Sequence, residues 1–410
     1  MGDADVIVVG AGPGGATAAA YLAQRGLSVT LLEKAQFPRE KVCGDGLTPR
    51  AVRQLLRLGV DTSTWKRNLG LRVYGGRVRP FELPWPELAE FPSFGLTRKR
   101  ADLDQALAAK AVAAGAEFIQ QAQVTAPILA ADRIVGVRTA DGREFRAPIT
   151  VAADGNSSRL ATAMGLKVRA NRPMGVAVRA YFHSPRAADD YMESWLEMRD
   201  DKQNLLPGYG WIFAMSEGVC NVGLGMLNSS KAFGKTNYRQ LLRSWLSSTP
   251  PEWGFAKDNQ IGEIGSAALP MSFNRQPAYS RGLLLVGDAG GMVSPFNGEG
   301  IGYAMEAGEF AADAIVDAHA RGVGTQAAER ALCGYAGRLK SEWGGYFRLG
   351  QVFVALIGHP QVMRICTRYG LPRPVLMRFT MKLLSHLFDT RSGDWMDKLL
   401  TALTNLAPAA

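Results

Sequence analysis

Cysteine and histidine are scarce, with four of each in 410 residues. Cys43, Cys220, Cys333 and Cys366 lie far apart, with no C-x-x-C pair and no neighbouring histidine. Neither a zinc site nor a disulfide framework is expected, and no metal ligands are assigned. No apolar run reaches the roughly 18 residues that would span a bilayer; the longest candidates are residues 352–358 and 282–287. The opening residues MGDADVIVVGAG carry no basic stretch before an apolar one and no small-residue cleavage site, so a signal peptide is not expected. Few thiols and no leader predict a reducing, cytoplasmic setting. Internal repeats and low-complexity segments are also missing. Acidic residues are in deficit, 37 against 47 Lys and Arg, a net charge of +10 that favours an anionic partner. Residues 331–410 hold ten Lys/Arg against four Asp/Glu, so six of the ten excess charges lie there. No nucleic-acid module is recognised, and the charge is too local to make nucleic acid an expected partner.

With 47% hydrophobic residues the chain can bury a large core, and its length suggests two or three structural units. Residues 5–10, DVIVVG, form a short β-branched run of the kind found in buried parallel strands. Gly10, Gly12 and Gly15 then make G-x-G-x-x-G, an alanine-rich helix follows, and residues 28–33, SVTLLE, complete a βαβ unit ending in Glu33. Such glycines serve a tight turn, backbone approach to a pyrophosphate and close helix-on-strand packing, and a carboxylate at this distance meets an adenosine ribose. The unit predicts dinucleotide binding, and Glu33 favours a free 2′-hydroxyl, as in FAD or NAD.

Further along, helices are expected at 49–58 and 100–114, and strands at 71–79, 117–125, 133–139 and 149–153, with a hairpin turn at Asp141-Gly142. Strands recur over 174–226, broken by a polar segment at 189–201. A second buried strand ends in Gly287-Asp288, a helix of small residues follows from about Gly300 to His319, and the remainder reads as helical.

The segment from Gly287-Asp288 through AGGMVSPFNGEGIGYAMEAGE resembles the second FAD motif of the flavoprotein class that holds aromatic hydroxylases, halogenases and geranylgeranyl reductases. The resemblance implies that Asp288 meets ribityl or ribose hydroxyls. It also implies that Gly298, Gly300 and Ile301 offer backbone N–H groups to the flavin pyrimidine, where charge spreads on reduction. Arg100-Ala-Asp-Leu-Asp104 resembles the R-x-x-L-D helix of that class, with Arg100 near the cofactor; a solvated arginine is the alternative. Ala153-Asp154-Gly155 resembles its A-D-G signature, which places Asp154 at the site, although Arg159 falls one position early.

PREKVCGDGLTPR (38–50) is similar to the P-x-x-K-x-C-G segment of the geranylgeranyl reductase family, FAD enzymes that reduce isoprenoid double bonds. Tyr209, Trp211 and Phe213, followed by Gly223 and Gly225, resemble that family's Y-x-W-x-F-P and G-x-G substrate motif, with Ala214 in place of proline. The whole-chain layout most resembles the branch acting on the isoprenoid tail of menaquinone.

The resemblance implies an α/β chain (α+β overall). A Rossmann-like FAD-binding domain of the aromatic-hydroxylase type would cover 1–70, 95–165 and 275–330. A β-sheet substrate domain would cover 71–94 and 166–274, and a helical C-terminal region 331–410. It implies FAD as cofactor and an isoprenoid lipid or prenyl quinone as substrate. An isoprene alkene cannot stabilise a carbanion, so protonation must lead or accompany hydride transfer. That chemistry needs a dry tunnel with π faces near the developing cation. Residues 209, 211 and 213 share one strand face and would supply these, or would merely pack in a core. Cys43 reads either as a group touching substrate or moving electrons or protons, or as a small buried hydrophobe. Residues alone identify no proton donor, and the four histidines lie outside every motif. With one dinucleotide fingerprint, reducing equivalents must come from transiently docked NAD(P)H or another reductant. The basic, apolar C-terminal segment suggests peripheral contact with the cytoplasmic membrane face, or a helix pair covering the flavin region. A flavin monooxygenase shares the cofactor motifs and stands as the alternative function.

Overall fold

The computed structural model describes residues 4–75, 78–200, 203–229, 233–390 and 393–410. Val6–Val9 is fully buried between Ile149–Ala152 and Val29–Leu32, both parallel to it. The six-stranded sheet runs, in spatial order, Tyr279–Ser280, Leu283–Leu285, Ile149–Ala152, Val6–Val9, Val29–Leu32 and Glu117–Ile119. All its pairs are parallel except the first, so its central strands are buried on both faces and read as continuous apolar runs. One face packs against the helices Pro13–Gln24, Ile301–Ala320 and Gln326–Ile357. The other meets a three-stranded antiparallel sheet (Val124–Ala130, Arg133–Thr139, Glu144–Arg146) and the short helix Arg159–Ala163.

A seven-stranded sheet stands beside this unit, in the order Gln260–Pro270, Met174–His183, Val219–Leu227, Gly208–Ala214, Tyr191–Trp195, Gly70–Tyr74 and Phe81–Pro84. One face is sealed by the helix Tyr238–Leu246. On the other, Val73, Leu83 and Met192 meet Leu371, Met377 and Met381 of the C-terminal helical region.

Two expected elements differ. The segment 189–201 is not a plain break, because Tyr191–Trp195 forms a strand parallel to Gly70–Tyr74. Its charge concealed it: Glu193 is buried, with Arg72 and Arg186 as ion-pair partners. The expected strand 117–125 splits into Glu117–Ile119 and Val124–Ala130 where Gln121 turns to φ 54°. The expected strand 71–79 ends at Tyr74, and its residues 76 and 77 lie outside the described residues.

The C-terminal region is tied to the rest through an arginine that a buried ion pair holds in place. Arg50, on the helix Pro49–Arg57, donates from Nη1 to both carboxylate oxygens of Glu306 at 2.8 Å, and from Nη2 to the His386 carbonyl at 3.0 Å. Tyr303 Oη and His386 Nδ1 are 2.8 Å apart, and the imidazole stacks on Tyr346. Burial and the nearby Arg50 and Arg53 hold His386 well below the usual imidazole range, so it is neutral and structural.

Candidate functional site

The first glycine loop divides its work among three positions. Gly10 adopts φ 98°, which favours glycine, and a Cβ there would stand 2.4 Å from the Ala153 carbonyl. At Gly15 a Cβ would stand 1.9 Å from the Gly10 carbonyl oxygen, so any side chain would push the helix off the strand. Gly12 faces open space, where an added Cβ would meet only Arg39 Nη2 and Arg100 Nη2, each at 3.9 Å. Two guanidinium groups and a helix N-terminus therefore face the one glycine that approaches nothing else, the arrangement a diphosphate requires.

Both arginines are held in place. Arg100 pairs with Asp104 through two 2.8 Å hydrogen bonds, and Arg39 Nη1 reaches the same carboxylate at 2.9 Å. Glu33 accepts from the Ala11 N–H at 3.0 Å and the Ala35 N–H at 3.1 Å, fixing its carboxylate at the end of Val29–Leu32. Asp288 lies in the turn Gly287–Gly290, where burial pushes its carboxyl up against the opposing charges of Lys41 and Arg100. Asp154 Oδ2 accepts from the Arg159 N–H at 3.0 Å, while its buried Oδ1 has no protein partner. Gly300 and Ile301 begin the helix Ile301–Ala320, whose first N–H groups have no acceptor within it. The Gly298 N–H is already used, donating to Ser294 O at 3.1 Å.

Gly10, Gly12, Glu33, Arg39, Arg100, Asp154, Asp288, Gly298, Gly300 and Ile301 line one continuous cavity of about 1040 Å3, which also receives Cys43, Tyr209, Trp211 and Phe213. Strand alternation puts the three aromatic side chains on its wall, with ring centroids 6.0 Å (209–211) and 6.1 Å (211–213) apart. Gly223 and Gly225 stand opposite Trp211 and Tyr209 on the neighbouring strand. A Cβ on Gly223 would overlap the indole at 2.4 Å from Cζ2, so this glycine lets the ring lie across the sheet. From the aromatic wall the cavity continues past Leu71, Val73 and Met192 to Leu371, Met377 and Met381, becoming apolar as it reaches the C-terminal helices.

Two carboxyl groups on this wall escaped the sequence reading. Asp45, at φ 61°, is fully buried; its Oδ2 accepts from Tyr181 Oη at 2.5 Å and Asn221 Nδ2 at 2.8 Å, and its Oδ1 from the Arg100 N–H at 3.1 Å. Burial pushes its carboxyl up to about 6, against the lowering effect of those two side-chain donors. Asn221 also accepts from Trp211 Nε1 at 2.9 Å, so the indole and Asp45 share one network. Glu299, next to the helix start, accepts from Thr48 Oγ1 at 2.6 Å through Oε1, while its buried Oε2 has no partner. Burial pushes it up to about 7. Cys43 Sγ accepts from the Asp45 N–H at 3.3 Å, and burial pushes the thiol up, so it stays protonated at neutral pH. The aspartate of Gly-Asp-Gly at 44–46 and the glutamate of Gly-Glu-Gly at 298–300 were the available signals. Among the described residues no helix is long and apolar enough to cross a membrane.

This architecture defines an FAD-binding flavoprotein: a family model described as FAD binding domain matches residues 3–315, and the chain belongs to that family. It also belongs with a set of reductases. It is 33% identical over 401 residues to the menaquinone reductase of Mycobacterium tuberculosis, covering 97% of this chain and 94% of the relative. It is 30% identical over 323 residues to the digeranylgeranylglycerophospholipid reductase of Methanosarcina acetivorans, covering 78% of this chain and 76% of the relative. The fold matches a geranylgeranyl bacteriochlorophyll reductase-like protein from Thermoplasma acidophilum (TM-score 0.78, 24% identity, 98% and 100% coverage). A flavin-dependent brominase shares the fold as well (TM-score 0.74, 22% identity, 98% and 99% coverage).

Proposed function

We propose that this chain is an FAD-dependent oxidoreductase that saturates carbon–carbon double bonds of an isoprenoid chain. Menaquinone is the preferred substrate and a geranylgeranyl group the next. The observation that carries this reading is the single cavity, which begins as a cationic, glycine-lined cradle and ends as an apolar channel between the seven-stranded sheet and the C-terminal helices. A polar aromatic substrate would leave that channel without a purpose, which favours prenyl reduction over hydroxylation.

The residues fit the cofactor. Gly12, Arg39 and Arg100 would hold the diphosphate, Glu33 and Asp288 the sugar hydroxyls, and the N–H groups of Gly300 and Ile301 the pyrimidine edge. Bound and reduced, FAD supplies the hydride. The chain then contributes a dry enclosure and the π faces of Tyr209, Trp211 and Phe213, which stabilise positive charge developing on the tertiary carbon of the alkene. With its proton retained, Cys43 acts as a packing contact near the substrate, not as a thiolate. The unit around the six-stranded sheet serves the cofactor, the seven-stranded sheet the substrate, and residues 331–410 the far end of the channel. NAD(P)H or another reductant docks transiently, since one dinucleotide cradle serves one cofactor.

The channel ends near an exposed patch where Ile365, Tyr369, Val375 and Leu376 alternate with Arg364, Arg368 and Arg378. Apolar side chains interleaved with arginines suit the cytoplasmic, anionic membrane face, from which a prenyl tail must be drawn. Mass spectrometry of quinones and prenyl lipids, from cells with and without the protein and from the purified enzyme with menaquinone, tests the function. A gain of two hydrogens on the tail is expected; a gain of oxygen would establish a hydroxylase instead.

A further inference from the structure

A reduction of this kind needs an acid at the double bond, and the cavity wall offers a short set of candidates. Asp45 has both carboxylate oxygens engaged by Tyr181, Asn221 and the Arg100 N–H, so it has no free edge to present. Tyr209 donates its hydroxyl to the Asn297 carbonyl at 2.6 Å, and Cys43 is a raised, weakly acidic thiol. Burial raises the Asp288 carboxyl as well, but it lies in the Gly287–Gly290 turn of the cofactor cradle, opposed by the charges of Lys41 and Arg100. Asp154 also has a buried, unpartnered oxygen, but it lies against Gly10 of the first glycine loop with its other oxygen held by the Arg159 N–H, at the cofactor end of the cavity. Glu299 combines such an oxygen with a place on the substrate side. Its Oε1 is anchored by Thr48 Oγ1 at 2.6 Å and its backbone N–H by Asn297 Oδ1 at 3.0 Å; its Oε2 is buried and unpartnered, and the residue borders the cavity. Gly302 leaves room for it, since a Cβ there would stand 2.8 Å from Oε1. Asn297 takes the Tyr209 hydroxyl on its carbonyl at 2.6 Å and the Glu299 N–H on its side chain at 3.0 Å, so the glutamate sits on the aromatic side of the cavity.

Resting on the prenyl-reductase reading, we propose that Glu299 is the catalytic acid, handing the proton held on Oε2 to the substrate double bond. The alkene π pair forms the new C–H bond at the less substituted carbon, and the O–H bond of Glu299 breaks. The tertiary carbon accepts hydride from the reduced cofactor, so the alkene gains two electrons and the cofactor loses two. Glu299 is left as a carboxylate, supported by the Thr48 hydroxyl and the Arg50 charge, and regains its proton from water when product leaves. The groups facing it from the surrounding elements set its proton affinity. Arg50 and Thr48 favour the anion, while burial and the negative charge of Glu306 favour the acid; Tyr303 and Tyr346, both neutral, complete the enclosure.

Two variants test the assignment, Glu299→Gln and Thr48→Val, each loaded with FAD. Difference infrared spectroscopy at neutral pH reads the protonated-carboxyl band, and single turnover of the reduced enzyme with menaquinone is followed across pH by product mass. The wild type is expected to slow as pH rises through about 7. Glu299→Gln should keep the flavin, lose one carboxyl band, and saturate the tail at least roughly a hundredfold more slowly with no falling limb. Thr48→Val should move the limb to higher pH, because the anion loses a donor, a shift that a merely structural threonine would not cause. Saturation by Glu299→Gln within about threefold of wild type, an unchanged carboxyl band, or an unmoved limb in Thr48→Val overturns the proposal. If the wild type saturates no prenyl tail at any pH, the reading beneath it fails and with it the proton's destination. The infrared difference still reports independently whether Oε2 carries a proton.

Discussion

Trp211 and Gly223 are directly opposite on adjacent antiparallel strands, and the indole occupies the volume that a Cβ on residue 223 would need, 2.4 Å from Cζ2. The ring's position is set from two sides, by this missing side chain and by the hydrogen bond from Nε1 to Asn221. Gly223→Ala should displace the indole into the cavity and cut turnover by at least about tenfold while FAD remains bound. Trp211→Ala should abolish turnover with flavin retained, and undiminished turnover would remove the ring from the mechanism. Stopped-flow reoxidation of the reduced flavin by menaquinone measures both.

Gly12 and Gly15 should separate cofactor binding from folding. Gly12→Val adds a side chain where the structure has space, so the apoprotein should melt within about a degree of wild type yet bind FAD at least roughly a hundredfold more weakly. Gly15→Ala forces a Cβ against the Gly10 carbonyl and should destabilise the fold by several kcal/mol. Calorimetry of the apoproteins and flavin fluorescence titration give the two readouts.

Glu306 is buried and takes hydrogen bonds from Arg50 at 2.8 Å and Arg53 at 2.6 Å. Removing one partner of a buried pair strands the other charge, so Glu306→Gln should cost about 3–5 kcal/mol in chemical denaturation. A loss under about 1 kcal/mol would show that water reaches the pair.

The raised proton affinity of Glu299 has a signature in stability. A carboxyl whose folded-state value rises from 4.5 to about 7 contributes stability fully below pH 4.5 and loses it as pH climbs to 7. Relative to wild type, Glu299→Gln should therefore gain about 1–3 kcal/mol between pH 5 and pH 8, a discounted figure because the side chain borders the cavity. Paired melts of the apoproteins at the two pH values check the sign; a constant difference would contradict it.

Val375 is exposed beside the channel mouth and does not line it. Val375→Glu should leave the melting midpoint unchanged and weaken binding to anionic phosphatidylglycerol vesicles about tenfold. Equal sedimentation with the vesicles would argue against this face as the membrane contact.

Much of the site was legible because its signals are local. The glycine loop with Glu33 follows from a spacing and the shared face of Tyr209, Trp211 and Phe213 from a period, while Gly223 and Gly225 were read from the resemblance; Gly10, Gly12, Glu33, the three aromatics and Gly225 line one cavity. Asp45 and Glu299 were not legible as acid–base groups. Their character depends on Tyr181, Asn221 and Thr48, partners at least 136 residues distant in the chain. Arg39 was missed for the same reason, its role appearing only where Asp104 aligns it with Arg100. The strand Tyr191–Trp195 was hidden by charged residues whose partners neutralise them inside the fold. Gly298 shows the opposite failure: its motif position suggests a free donor, but the turn itself consumes its N–H.

Leu283–Leu285 sits inside the six-stranded sheet, next to Ile149–Ala152, although it is made long after the other parallel strands. A nascent chain therefore carries an incomplete nucleotide platform, with one edge of Ile149–Ala152 bare, until residue 285 has been made. Leu371, Met377 and Met381, which close the apolar passage over Val73, Leu83 and Met192, are made later still. The order of synthesis thus lets the cofactor platform be completed before its oily neighbour is roofed.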